Sequence, residues 1–355
     1  MSFRISAIRS DESSDLFAAG EVLVTGGAGF LGSHLVEHLL AAGHRVHVLD
    51  NLSSGSLDNL RHLTEAQATG GRLRVTIGSA DDAELARASC ESAVAVFHLA
   101  GMVGVQRLAS DPMTVMQRNL HCTERMLEAA SAAEVPILIT SSSEVYGQGP
   151  VPFRETDPVQ PGATEGLRGG YACAKAMGEW MALALARQRG LQVVVARLFN
   201  AVGVRQSPAY GMVLPRFLAQ ARRGEAITVF GDGTQTRCFG AAGEIVTALA
   251  QLLESPAARG QVVNVGSDRE VSVGRLAELV QQATGASAPI VQVPLEQVFP
   301  RGFVDPPRRV PCLERLRTAI GWVPERPIES IVEELAAVVA DPAEEALMLG
   351  ADSLG

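Results

Sequence analysis

The chain has 355 residues, 47% of them hydrophobic, with 39 acidic against 30 basic side chains and a formal net charge of −9. That length is enough for a full core and two lobes. No apolar run approaches a membrane span, and an acidic balance gives no support for nucleic-acid binding, which needs a basic face against phosphates. Five scattered cysteines (Cys90, Cys122, Cys173, Cys238 and Cys312) include no Cys-x-x-Cys, which suits a reducing, cytoplasmic setting and opposes a metal site.

Residues 1–20 are polar and lack the apolar centre of a secretory signal, so a flexible tail is expected there. From Glu21 to Asn200 the pattern alternates. Strands are expected at 22–25, 45–49, 73–77, 93–99, 136–140 and 192–199, and helices at 31–42, 82–90, 112–133 and 171–189. Near-continuous apolar strands with helical crossovers predict a parallel sheet covered on both faces. Beyond Asn200, glycine and proline become frequent, short helices are expected, and the run 261–265 reads as a strand able to rejoin the sheet. The expected class is therefore α/β: a doubly wound Rossmann sheet with a smaller, discontinuous C-terminal α/β lobe. The dinucleotide domain would cover 21–200 plus about 237–266. The lobe would take 201–236 and 267–340, with a tail at 341–355.

The turn Thr25-Gly26-Gly27-Ala28-Gly29-Phe30-Leu31-Gly32 follows a strand and opens a helix. Glycines at 27, 29 and 32 give one dinucleotide spacing; those at 26, 29 and 32 give a wider one. Missing side chains let the backbone approach a pyrophosphate, whose charge meets the helix N-terminus. Asp50 ends the second strand 24 residues after Gly26, where a carboxylate suits a ribose diol and repels a 2′-phosphate. The cofactor expected is NAD.

Two further stretches carry chemistry. Ser141-Ser142-Ser143-Glu144-Val145-Tyr146-Gly147 follows an apolar strand, and Tyr171-Ala172-Cys173-Ala174-Lys175 lies downstream. Tyr171 and Lys175, four apart, share a helix face, so the ammonium is expected beside the phenol, favouring phenolate. Moving a phenol from about 10 towards 7 requires roughly 4 kcal/mol. Ser142 is placed to bond the same substrate hydroxyl.

Together these motifs resemble the extended short-chain dehydrogenase/reductases, the NAD-dependent epimerase/dehydratase family, over about residues 21–340. The resemblance also rests on His98-Leu99-Ala100, Arg197-Leu198-Phe199-Asn200, Gly231-Asp232-Gly233-Thr234-Gln235-Thr236-Arg237 and Arg308-Arg309-Val310-Pro311. It implies Tyr171 as general base, Lys175 on the nicotinamide ribose, and Ser142 on the sugar hydroxyl. Gly26, Gly29, Phe30, Leu31, Gly32, Asp50, Asn51, Ser53, Leu99 and Ala100 would line the cofactor cleft. Ser143, Asn200, Arg237 and Arg309 would bind substrate, the last three at a nucleoside diphosphate, for which guanidinium forks are suited. The segment Tyr210–Phe217 looks like the uridine side.

Members of that branch share oxidation at sugar C4 and differ afterwards. The stretch around Glu144 is most like that of UDP-glucuronate decarboxylases, and a 4,6-dehydratase would want a carboxylate at Ser143. A UDP-hexose 4-epimerase is the alternative, and a silent NAD-binding scaffold a third reading, against which intact Ser142, Tyr171 and Lys175 speak. Departures exist: Ser142 stands for a frequent Thr, Ser79 for an Asp near adenine, and Thr114 for a Lys near the substrate carboxylate. The resemblance also implies that helices 112–133 and 171–189, which carry residues such as Met113, Met116 and Trp180, pair across a homodimer.

Overall fold

Alternate residues of a strand face opposite sides of its sheet, and here both sides are apolar. Val22 and Val24 enter one core while Leu23 enters another. The computed structural model describes residues 16–65, 70–166, 168–208, 211–299 and 305–339. In the first half the elements run β1 (Glu21–Thr25), α1 (Phe30–Ala41), β2 (Arg45–Asp50), α2 (Arg61–Glu65), β3 (Leu73–Ile77), α3 (Ala83–Glu91), β4 (Ala93–His98), α4 (Val105–Ser110), α5 (Pro112–Ala132), β5 (Ile137–Ser142), α6 (Gly169–Arg189) and β6 (Val193–Leu198). The remainder comprises β7 (Ala201–Val202), α7 (Val213–Arg222), β8 (Ile227–Phe230), β9 (Thr236–Cys238), β10 (Gly240–Ala241), α8 (Ala242–Glu254), β11 (Gln261–Val265), β12 (Glu270–Ser272), α9 (Val273–Thr284), β13 (Ile290–Val293), α10 (Leu295–Val298), α11 (Glu314–Ile320) and α12 (Ile328–Val339).

Seven strands form one parallel sheet in the order β11-β6-β5-β4-β1-β2-β3, a doubly wound arrangement. One face is covered by α1, α8 and α11, the other by α3, α5 and α6. Local chemistry sets the helix ends. Asp111 caps α5 by accepting from the Thr114 N–H, with Pro112 at the first turn, and α6 stops at the left-handed Gly190. A separate core of α7, α9, α12 and β8 makes the smaller lobe, with Leu214, Phe217, Leu276, Val280, Ile331 and Leu335 buried in it.

The structure corrects four expectations. Phe17, inside the stretch expected as tail, is 2% exposed and packs on Phe97 and His44, so residues 16–20 belong to the domain. Residues 313–323, expected in the lobe, bury Leu313, Leu316 and Val323 in the sheet's core because α11 lies against β11 and α8. The helices after Asn200 are not short: α8 has 13 residues and α9 and α12 have 12 each. Helices α2 and α4 were not expected, being too brief for a 3.6-residue pattern to register. Residues 1–15 and 340–355, together with Tyr210 of the expected uridine-side segment, lie outside the described residues.

Candidate active site

A cavity of about 670 Å³ runs along the carboxyl ends of the sheet strands and into the cleft beneath the smaller lobe. Its floor is the glycine turn. Gly26 has φ +72°, and a Cβ there would lie 2.8 Å from the Ala100 backbone nitrogen. A Cβ on Gly32 would come within 1.9 Å of the Gly26 carbonyl oxygen. Sterics therefore exclude a side chain at Gly26 and Gly32; a Cβ on Gly27 would crowd Val48 at 2.8 Å, and one on Gly29 would meet only the Gly26 carbonyl oxygen at 3.1 Å. Behind it, α1 starts at Gly29 with no acidic residue in its first turn, leaving its N-terminal amides suited to an anion.

Asp50 plays a broader part than a ribose contact. Its Oδ2 accepts from the Ala28 N–H at 2.9 Å and its Oδ1 from the Leu52 N–H at 2.8 Å, so it ties the glycine turn to the loop after β2. Burial raises its carboxyl, and those two N–H bonds work against the rise. A carboxylate has about four lone-pair sites, so acceptor capacity remains towards the cavity it lines. Asn51 donates to Ser79 Oγ, while Asp81 pairs with Arg118 at 2.8 Å; Ser79 thus replaces the carboxylate at the end of β3. Phe30, Leu31, Ser53, Leu99 and Ala100 also line this cleft. A cradle that side chains would fill, a helix N-terminus and a carboxylate beside it fit a dinucleotide.

The catalytic stretch follows β5 directly. The Ser142 hydroxyl caps the short turn Ser143–Tyr146 by accepting from the Glu144 N–H at 3.2 Å. Ser142 also lies near enough to Tyr171 to favour its ionised form. Burial pushes the Tyr171 phenol above its ordinary range; Ser142 lowers it, Glu144 raises it and Arg309 lowers it. The expected ammonium-on-phenol contact is not what this arrangement uses. Lys175 donates to the Thr140 carbonyl at 3.0 Å, and burial brings its ammonium down to about 8. Without a further positive charge Tyr171 is a neutral phenol at pH 7.

Glu144 sits among arginines. Burial alone would raise its carboxyl, but Arg309, Arg168 and Arg237 overcome this and hold it at about 2. Arg309 Nη1 donates to Glu144 Oε1 at 2.7 Å, and Arg309 is 5% exposed. Arg309 was expected at a diphosphate; it instead meets Glu144 next to Tyr171, at the end where Ser142 lies. Arg237 pairs with Asp305 at 2.7 Å. Asn200 donates to the Cys238 carbonyl from the cavity wall, and Ser143 is buried beside Glu144.

The strap bearing Arg309 is held by backbone. Phe153 N–H donates to the Val310 carbonyl, Cys312 N–H to the Phe153 carbonyl, and Asn264 Nδ2 to the carbonyls of Phe153 and Cys312. Asn264 in turn accepts from the Tyr146 hydroxyl at 2.6 Å. Beneath, Glu179 takes a bidentate pair from Arg197 and accepts from Ser141 at 2.5 Å. These buried groups connect the Arg-Leu-Phe-Asn motif to the catalytic turn. Sequence reasoning missed Arg168 and Asp305. The three-residue step from Arg168 to Tyr171 was an available signal; Asp305, in a proline-rich stretch, gave none.

The model of the NAD dependent epimerase/dehydratase family matches residues 22–266. A UDP-N-acetyl-alpha-D-glucosaminuronate decarboxylase from Bacillus cytotoxicus is 36% identical over 83% of this chain and 90% of its own length. UDP-glucuronic acid decarboxylase 1 of Danio rerio is 32% identical over 87% of this chain and 70% of its own. Among solved structures, a UDP-N-acetylglucosamine 4-epimerase from Methanobrevibacter ruminantium superposes with a TM-score of 0.79 at 28% identity, over 90% of this chain and 97% of that one. The DesIV dTDP-glucose 4,6-dehydratase of Streptomyces venezuelae, solved with NAD, gives 0.81 at 25% identity, over 91% and 97%. NAD is the cofactor, and the chain belongs to the NAD-dependent epimerase/dehydratase family.

Proposed function

We propose that the protein decarboxylates UDP-glucuronate to UDP-xylose, or to the UDP-4-keto-pentose, through a C4-keto intermediate, with Tyr171 as base. The observation that carries this reading is the ionised Glu144–Arg309 pair beside Tyr171 and Ser142, at the end of a cleft fitted to NAD. Gly26, Gly29, Gly32 and the α1 N-terminus would hold the pyrophosphate, Asp50 a ribose, and Lys175 the nicotinamide ribose. When bound there, NAD would supply reversible hydride transfer at C4 and a positive ring whose charge would favour the Tyr171 phenolate.

The remaining work falls to side chains. Tyr171 takes the C4 hydroxyl proton while Ser142 holds that oxygen. A ketone at C4 is β to the C6 carboxylate, so the C5–C6 bond breaks with its electrons passing to the C4 oxygen, and carbon dioxide leaves. C5 then takes a proton from a water or acid near Glu144, and Tyr171 returns its proton to the C4 oxygen on reduction. Glu144, kept anionic by arginines, serves to orient water or the sugar ring and is not an acid at neutral pH.

The Bacillus cytotoxicus relative supports a hexuronate with an acetamido group as a second sugar to test. The epimerase neighbours at 28% identity support UDP-hexose 4-epimerisation as the alternative. Incubation with UDP-glucuronate, followed by mass spectrometry, should show loss of carbon dioxide. Absence of that loss, with interconversion of UDP-glucose and UDP-galactose, would replace the decarboxylase reading by the epimerase. A cytoplasmic homodimer is proposed with it, supported by free cysteines and by Met113, Met177 and Trp180, 59%, 45% and 53% exposed on α5 and α6.

A further inference from the structure

A row of polar side chains crosses the sheet beside the catalytic turn. Ser141 on β5, Arg197 on β6 and Asn264 on β11 are register partners, and all three are buried. Glu179 of α6 serves the first two, accepting from Ser141 and pairing with Arg197. Asn264 is bonded elsewhere. It interrupts a run of valines, Gln261-Val262-Val263-Asn264-Val265, at a place where an amide without partners would be costly.

Its partners lie in three segments. Asn264 Oδ1 accepts from the Tyr146 hydroxyl at 2.6 Å, and Nδ2 donates to the carbonyls of Phe153 at 3.0 Å and Cys312 at 3.2 Å. Two carbonyls require two N–H donors and the hydroxyl requires an acceptor, a set that a short primary amide supplies and a carboxylate, hydroxyl or alkyl group does not. Tyr146 ends the turn that Ser142 caps and in which Glu144 lies. Cys312 stands three residues beyond Arg309 on the strap, which is already joined to Phe153 by two backbone bonds of 2.8 Å. One amide therefore connects the catalytic turn to that join.

We propose that Asn264 is a positioning residue of the site: its amide holds the strap in register with the catalytic turn and so seats the Arg309 guanidinium on the Glu144 carboxylate. Asn264 lies behind the wall of the cavity, so it acts through that pair and not on a ligand. The tolerance is small. Arg309 and Glu144 are 2.7 Å apart, and sliding the strap by about 1 Å carries them beyond hydrogen-bonding distance. Glu144 faces Arg309 from the strap, Arg168 from the residue before α6, Arg237 from β9 and the Tyr171 phenol from α6, with Asp305 beside Arg168 and Arg237. Withdrawing the nearest of these cations leaves burial less opposed, and the carboxyl rises. The consequence for turnover rests on the catalytic reading above; the seating of the pair does not.

The test labels the glutamate carboxyls of the NAD-loaded full chain with 13C and follows Glu144, identified by the signal that Glu144→Gln removes. At pH 4 the protonated fraction of Glu144 in Asn264→Ala should be about tenfold or more that of the parent. Tyr146→Phe keeps the ring stacked on Phe153 and takes away only the hydroxyl, so it should change that fraction in the same direction and by less. It also decides the matter if Asn264→Ala does not fold. A lower Tm with unaltered Glu144 protonation would leave Asn264 a merely structural residue and overturn the proposal. With UDP-glucuronate as probe, Asn264→Ala should lower kcat about tenfold or more at unchanged NAD content. In an Arg309→Met background the same change should cost less than about twofold, and losses that multiply would also overturn the proposal. If the native enzyme releases no carbon dioxide, the decarboxylase reading falls while the Glu144 signal still decides Asn264.

Discussion

Arg309→Met removes the charge that keeps Glu144 ionised while filling similar volume. The Glu144 carboxyl sits at about 2 against an ordinary 4.5. At about 1.4 kcal/mol for each tenfold change in proton affinity, that difference is worth about 3 kcal/mol. Arg309, at 2.7 Å, is its closest source. A depressed carboxyl contributes stability that is complete above about pH 4.5 and is lost as pH falls towards 2. At pH 7, urea unfolding of Arg309→Met should therefore show a loss of up to about 3 kcal/mol, since Arg168 and Arg237 still hold part of the charge, narrowing as the pH is taken below 4.5. Glu144→Gln should also cost stability, because it leaves a buried guanidinium without its closest partner. The double variant should cost less than the two losses added, giving a coupling of about 2 kcal/mol or more. Strictly additive losses, or a deficit that does not change with pH, would refute the claim that the pair's electrostatics hold this end of the site.

Two other substitutions probe the chemistry and the cleft. Tyr171→Phe should lower turnover by about 10²–10⁴-fold, the usual range for a general acid–base group, with NAD content by extraction unchanged; near-native turnover would remove Tyr171 as base. Gly32→Ala drives a Cβ to within 1.9 Å of the Gly26 carbonyl oxygen and should expel NAD and lower Tm, whereas Gly243→Ala on α8 meets nothing within 4 Å and should raise stability by about 0.5–1 kcal/mol. Equal behaviour of the two alanine variants in thermal melts and NAD content would contradict the steric reading of the turn.

How far the chain could be read depended on the range of the interaction. The strand 261–265 was recognisable because five residues in sequence carry its pattern, and it pairs in parallel with β6 as expected. The glycine turn was recognisable because its spacing, and the close approach of Gly32 to Gly26, lie within seven residues. Phe17 was not, since nothing local distinguishes a buried aromatic in a polar stretch from an exposed one. The Lys175 ammonium was read from helical spacing alone, and the Thr140 carbonyl that receives it belongs to another element.

By itself, then, the sequence determined the class of fold, the cofactor cleft and the Ser142–Tyr171 pair, all of which follow from short-range periodicity and from residue types that one turn or strand can place. Tertiary structure decided the charges. Arg309 arrives on a strap 165 residues from Glu144, and Arg237 and Asp305 close the same cluster from other segments. Whether a carboxylate there is acid or anion depends on burial and on neighbours within a few ångströms, and only the folded chain brings those together.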